Sequence, residues 1–395
     1  MGTTTRDEVR RLVAALVEIE TENPPGNERP CAEYIADWFA DRGVGADLIE
    51  EPDEDRPQVA VRVGDGDPTL VLNGHIDVVP AGDPTEWEYD PYGAAVVDGS
   101  LFGRGSVDTK TGVAIGMLAT ARLADKIDAG DLPGSIVFHA AMGEETAEPG
   151  TKTLLERGYD GDYGVVLEPT GLRAATREKG LAWYEIRILG EPSHASRPDQ
   201  GRNAVLRARP VLDALAEYDA TVRERTDDLV GWAYSTVTMV DAGMKENVIP
   251  ESATITVVRR FLPDEEIGDI DAEIDSLLAE VEAEHDVETS WERTRTYESA
   301  AISADSALAD IFRRHSAEVG DAPDEPWGIE ASTDMRNFVN DANTEAITWG
   351  PGDLAQAHTY DERVDLEAAA DGLHALLGAS CEILSSGLES NAARE

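Results

Sequence analysis

The chain has 395 residues, with 80 acidic against 33 basic side chains and a formal net charge of -47. A surface this acidic repels phosphate backbones and anionic headgroups, which excludes nucleic acid and charged membranes as partners. Hydrophobic residues make up 41% of the chain, enough for a substantial core, and no apolar run is long enough to span a bilayer.

Helices are predicted over Arg6 to Glu20 and roughly Arg29 to Arg42. The apolar run from Leu70 then reads as a buried strand that ends in His75, with Asp77 two residues on. His75 can offer a neutral ring nitrogen to a metal, and Asp77 can take the proton of the other nitrogen. A plain strand and polar turn is the competing reading. Gly103 to Gly112 places Asp108 in a glycine-rich turn before the helix-like run Val113 to Leu123. A second apolar strand starts at Ser135 and ends in Glu144 and Glu145. Neighbouring strand residues face opposite ways, so this pair is predicted on a turn. A third strand, from Tyr163, ends in Glu168.

From Gly180 the rhythm changes. Leu181 to Leu189 reads as a strand, Asn203 to Glu217 as a helix, and Tyr234 to Val240 and Ala253 to Phe261 as strands. Glu265 to Glu284 reads as a helix and Val287 to Thr296 as a strand. That β-α-β-β-α-β order is ferredoxin-like. Residues 180–296 are therefore predicted to be an inserted α+β domain. Residues 1–179 and 297–395 would form an α/β domain with a central mixed sheet flanked by helices. A fourth strand, Ala346 to Gly352, precedes His358, and a helix from about Asp365 to Leu384 follows. Asn391 to Glu395 are predicted to fray.

Each of these carboxylates and imidazoles follows a strand or a strand-turn, so one sheet could gather them at one rim. Two histidines with several carboxylates suit Zn²⁺, Co²⁺ or Mn²⁺. Two ions about 3.5–4 Å apart, sharing one carboxylate, would use more of the set than one ion. A Glu-Glu pair in so acidic a chain is ordinarily solvated loop. Here it ends an apolar strand and sits in a matching series. His139 lies within a strand and is read as core, and His285, His315 and His374 are read as non-ligands.

The motifs Gly-His75-x-Asp77, Gly-Arg-Gly-x-x-Asp108-x-Lys110, Gly-Glu144-Glu145, Glu168-Pro and Gly-x-x-Ser-His194-x-Ser-x-Pro occur in that order. Asn247-x-Ile-Pro and a late Gly-Pro-Gly…His358-Thr-x-x-Glu follow them. With these the chain resembles the metal-dependent M20 peptidase/deacylase family, which includes acetylornithine deacetylase, succinyl-diaminopimelate desuccinylase, aminoacylase and glutamate carboxypeptidase. The resemblance runs from about Glu8 to about Leu384.

It implies two divalent ions, zinc first, with cobalt or manganese as substitutes. Asp108 would bridge them, His75 and Glu168 would complete one site, and Glu145 and His358 the other. Glu144 would be the general base for a metal-bridged hydroxide and Asp77 the orienter of His75. His194 would stabilise the oxyanion from the inserted domain, which the resemblance makes a lid and dimerisation domain. Asn247 and Arg260 would bind substrate, although Arg259 competes with Arg260 for that role. Asp334 resembles a family position near the site. Arg336 is read either as a substrate contact or as a surface arginine paired with acid.

The implied activity is cleavage of the amide of an N-acyl amino acid. A dipeptidase or carboxypeptidase is the runner-up, and a non-catalytic metal-binding protein the alternative of a different class. A small N-acyl amino acid or dipeptide is the expected ligand, and a homodimer through residues 180–296 the expected assembly.

Only five basic residues are lysine: Lys110, Lys126, Lys152, Lys179 and Lys245. Acid excess with so little lysine suggests a halophile's cytoplasm, where salt screens self-repulsion. The start of the chain reads as no secretory signal, and Cys31 and Cys381 imply no disulfide framework, so a cytoplasmic location is expected.

Overall fold

A computed structural model describes residues 4–320, 322–386 and 388. The chain divides into two compact units. The first comprises Met1–Arg177, Ala301–Ile329 and Thr333–Glu395, and the second Glu178–Ala300 with Glu330–Ser332. The predicted frayed end, Asn391 to Glu395, lies outside the described residues.

The first unit is built on a mixed sheet. Its strands run in the order Asp47–Ile49, Gln58–Val63, Ser135–Ala141, Thr69–His75, Tyr163–Val166, Glu345–Thr348 and Ala175–Glu178. The four from Ser135–Ala141 to Glu345–Thr348 are mutually parallel, and the flanking pairs are antiparallel. Parallel strands are covered on both faces and therefore read as continuous apolar runs. That is why Leu70, Val71 and Leu72, or Ile136, Val137 and Phe138, are wholly buried. Alternation sends Leu70, Leu72, Ile136 and Phe138 into the main core and Asn73, His75 and His139 to the opposite face.

Helices complete the core. Thr5–Val17 buries Val9, Leu12, Val13, Leu16 and Val17, a helical stripe, behind the cap that the Thr4 hydroxyl offers to the Asp7 amide. Lys110–Asp128 lies close against the sheet because Gly112 has no side chain. A Cβ there would fall 2.1 Å from the Leu167 carbonyl oxygen. Ala307–Val319 and Leu366–Ser386 pack on each other. His315 Nε2 of the first donates to Glu382 of the second at 3.0 Å, a contact that the sequence alone does not place. A small sheet, Arg363–Asp365, Ser100–Phe102 and Ala95–Val97, ties the segment after His358 to the segment before Asp108.

The second unit is an antiparallel sheet ordered Tyr234–Ala242, Ser252–Phe261, Gly180–Leu189 and Thr289–Tyr297. Helices Ala204–Val222 and Ile267–Glu284 cover one face, burying Ile186, Ile188, Ile255 and Val257 against Val211, Leu215, Ile270 and Ile274. The strand order is that of a ferredoxin-like β-α-β-β-α-β fold. Among the described residues no helix is long and apolar enough to cross a membrane.

Candidate active site

The parallel strands deliver their C-terminal ends to one rim. His75 is the last residue of Thr69–His75, Glu144 and Glu145 follow Ser135–Ala141, and Glu168 follows Tyr163–Val166. The two glutamates occupy one turn of 3-10 helix, Glu144–Thr146, entered through Gly143 at φ +78. That left-handed entry re-aims the chain so that both side chains can serve one site. His358 also has a left-handed backbone, φ +59, uncommon for a residue with a Cβ.

These residues converge. Asp108 offers one oxygen, Oδ1, to His75 Nε2 at 3.1 Å and the other, Oδ2, to His358 Nε2 at 3.3 Å. Glu168 Oε1 lies 3.4 Å from His75 Nε2, and Glu145 Oε2 lies 3.1 Å from His358 Nε2. His75, Asp108 and Glu145 can present ligand atoms all within 4.8 Å of one another. The site is sheltered on the His75 side, where that residue is 2% exposed, and open on the His358 side, 53% exposed.

Burial raises the carboxyls of Glu168, Glu145 and Glu144, the last to about 8. Burial works against a charge on His75, but Glu168, Asp108 and Asp77 outweigh it and hold the proton on. Bonds to Asp108 and Glu145 raise His358 to about 10. Three carboxyls are thus raised, the two imidazoles outweigh burial to hold Asp108 down, and both rings keep their protons, so acidic groups dominate the cluster. The oxygen and imidazole donors fit divalent cations.

Asp77 is the hub behind the rim. Its backbone carbonyl accepts from His75 Nδ1 at 2.9 Å, and its carboxylate accepts the amide hydrogens of Glu144 and Glu145, each at 3.2 Å. One residue thus orients the imidazole and the glutamate turn together. Glu362, in the late motif, holds the other side. It accepts from the amides of Val107 and Asp108 at 2.9 and 3.2 Å and pairs with Arg104 at 2.5 Å. The Lys110 ammonium is directed instead to the Ile19 carbonyl, 2.7 Å away.

Sequence reasoning missed Asn23, Glu28, Arg56, Glu148 and Thr151. Asn23 donates to Asp77 at 3.0 Å and to Thr146 at 2.7 Å. Arg56 joins Glu28 to Glu148, the residue that closes the glutamate turn. The stretch Thr21 to Glu28 carried a usable signal, since an Asn-Pro-Pro-Gly run marks a fixed loop.

Asp334 and Arg336 also belong to the first unit. Both are buried, which removes the reading of Arg336 as a surface arginine. His194, Asn247 and Arg260 belong to the second. There the His194 and Asn247 segments run side by side, with the Ala195 amide donating to the Asn247 carbonyl at 2.9 Å. The Ser196 amide donates to His194 Nδ1 at 3.1 Å, so the proton of the neutral ring lies on Nε2. Arg259 and Arg260 face opposite ways. Arg259 lies on the helix-covered face, spent on Glu265 and on the Tyr218 hydroxyl at 3.2 Å. Arg260 faces away from that core and reaches the Glu330 carbonyl, at 3.4 Å, and Tyr234.

The model of peptidase family M20/M25/M40 matches residues 71–380. The chain belongs to this family. Within it, the chain is 25% identical over 396 residues to a probable succinyl-diaminopimelate desuccinylase of Staphylococcus aureus, covering 92% of this chain and 95% of that one. Its fold is similar to the M20 family metallo-carboxypeptidase Sso-CP2 of Sulfolobus solfataricus, with a TM-score of 0.78 at 16% identity over 94% and 98% of the two chains. It is similar also to a Bacillus subtilis protein described as a dinuclear metal binding peptidase of the M20 family. There the TM-score is 0.70 at 16% identity, over 96% of this chain and 99% of that one. As an M20 member the chain is a metal-dependent hydrolase.

Proposed function

We propose that the chain hydrolyses the amide bond of N-acyl amino acids, using two divalent ions. The carrying observation is the division of Asp108, whose two oxygens face two different imidazoles, each with a second carboxylate of its own. His75, Asp108 and Glu168 would hold one ion, and Asp108, Glu145 and His358 the other. Bound there, the ions supply Lewis acidity that polarises the amide carbonyl and acidifies water.

The protein's own groups do the rest. Glu144 accepts the proton of the attacking water and returns it to the departing nitrogen. Asp77 keeps His75 and the Glu144–Glu145 turn in register. In the second unit, His194 with its proton on Nε2 is a donor suited to an oxyanion, and Arg260 is a cation suited to a substrate carboxylate. Asn247, beside His194, completes the substrate contacts.

The deacylase reading is favoured over the dipeptidase reading by the desuccinylase name of the curated relative that matches nearly end to end. Steady-state rates on N-acetyl-ornithine, N-succinyl-diaminopimelate and simple dipeptides test it. Chelation should abolish hydrolysis and added Zn²⁺ or Co²⁺ should restore it. Glu144→Ala should retain bound metal while kcat falls by roughly three orders of magnitude or more, because a base is lost and no ligand is. Wild-type rates in that variant, or faster turnover of dipeptides than of acyl amino acids, would overturn the corresponding part.

A further inference from the structure

Asp334 resembles a family position near the site, but its surroundings leave it little capacity to touch a ligand. It is 2% exposed. Its Oδ2 accepts from the Thr151 hydroxyl at 2.6 Å, and its Oδ1 accepts from Asn337 Nδ2 at 2.7 Å with Arg336 Nη2 at 3.4 Å. A carboxylate has about four lone-pair directions, and three are taken here. Its buried negative charge would also repel a substrate carboxylate.

Arg336 is the link. It is 8% exposed, and its Nη1 lies 3.5 Å from Glu144 Oε1 while its Nη2 faces Asp334. The guanidinium, whose Nη1 also donates to the Thr333 carbonyl, is therefore shared between the buried Asp334 carboxylate and the largely buried Glu144, the proposed general base. The chain of bonds continues outward. Thr151 accepts from Asn73 Nδ2 at 2.8 Å, and Asn73 stands two residues before His75 on the same strand face. The side chain that touches Glu144 is thus referenced to the strand that carries a metal-ligand candidate.

We propose that Asp334 is a positioning residue. It draws the Arg336 guanidinium to itself, so that Glu144 is oriented by Arg336 without being locked into a full ion pair. This rests on the reading of Glu144 as the base. Without Asp334, the Arg336 guanidinium turns more fully to Glu144, whose carboxylate must stay free to take and return a proton.

The experiment is a double-mutant cycle on the full chain loaded with divalent ion: Asp334→Asn, Arg336→Met and both together. Its readouts are kcat, KM, bound metal and the thermal midpoint. Asp334→Asn should lower kcat about 10- to 100-fold with KM within about twofold and metal content unchanged. The double variant should be no slower than the slower single one, because Asp334 acts through Arg336. A rise in KM at unchanged kcat would make Asp334 a substrate contact, and effects that multiply would make the residues independent. Either result overturns the proposal.

If Asp334→Asn does not fold, Thr151→Val removes one bond to the same carboxylate. It should lower kcat about three- to tenfold, and leave it unchanged in the Arg336→Met background. Loss of kcat in both backgrounds counts against the proposal. Glu144→Gln, run in parallel, separates the two readings. A wild-type rate there defeats the assignment of the base. A silent Asp334→Asn beside an inactive Glu144→Gln defeats the positioning role alone.

Discussion

His139 shows how a titratable residue can belong to the framework. It is wholly buried in Ser135–Ala141, donates from Nε2 to the Tyr159 carbonyl at 2.9 Å and faces Asn73 with Nδ1. Burial lowers its proton affinity to about 4, against the smaller opposing effect of the Tyr159 carbonyl. The native ring is thus neutral where the unfolded ring, near 6.5, takes up a proton. Its contribution is complete above pH 6.5 and is lost as pH falls toward 4. Relative to His139→Gln, the wild type should lose roughly 2 kcal/mol of stability between pH 7 and pH 5, read from urea unfolding at each pH. Parallel pH profiles would show that the ring is not held neutral. Its core role was legible, because a histidine inside an apolar run has nowhere else to go. The engagement of Asp334 was not, because its partners Thr151 and Arg336 come together only when the sheet has formed.

At the scale of elements, the loop that carries Glu144 and Glu145 is held by a clamp. Arg56 donates to Glu28 through Nε and Nη2, at 2.9 and 2.5 Å, and to Glu148 through Nη1 at 2.8 Å. The partners' proton affinities pull in different directions. Burial raises the Glu28 carboxyl despite the guanidinium, while Glu28 tightens the hold of Arg56 on its proton. The two parallel short bonds, one to each oxygen, favour an ion pair, because that bidentate geometry is strongest with a carboxylate. Arg56→Met should strand a fully buried carboxylate and cost about 3–5 kcal/mol in urea unfolding. A change below about 1 kcal/mol would mean that the clamp does not hold the loop. The strands could be read directly, since buried parallel strands are continuous apolar runs bounded by turns. The placement of Glu144 and Glu145 on a turn followed from strand alternation, and the structure has them on one turn of 3-10 helix. The clamp could not be read. Arg56 is 28 residues from Glu28 and 92 from Glu148, and in so acidic a chain each looks like solvated surface.

For the whole molecule, charge sets the conditions under which the fold persists. With 80 acidic and 33 basic side chains, pairing every base still leaves 47 negative charges without partners. Salt acts on both populations. It weakens exposed pairs such as Arg29 with Glu50 and Arg314 with Glu382, which contribute little to stability. It also screens repulsion among the excess acids, as the screening length falls from about 10 Å at 0.1 M to about 3 Å at 1 M. The excess exceeds the number of bases, so relief of repulsion should prevail. Between 0.1 and 2 M KCl the thermal midpoint should rise by on the order of 10 °C. A neutral osmolyte at matched water activity should reproduce little of that rise, which separates screening from a general effect on burial. Equal midpoints in dilute and molar salt would show that the acidic surface is already relieved by its own geometry. The inference from composition to a saline working environment would then fail, while the strand-end cluster around Asp108, buried on its His75 side, would stand unaffected.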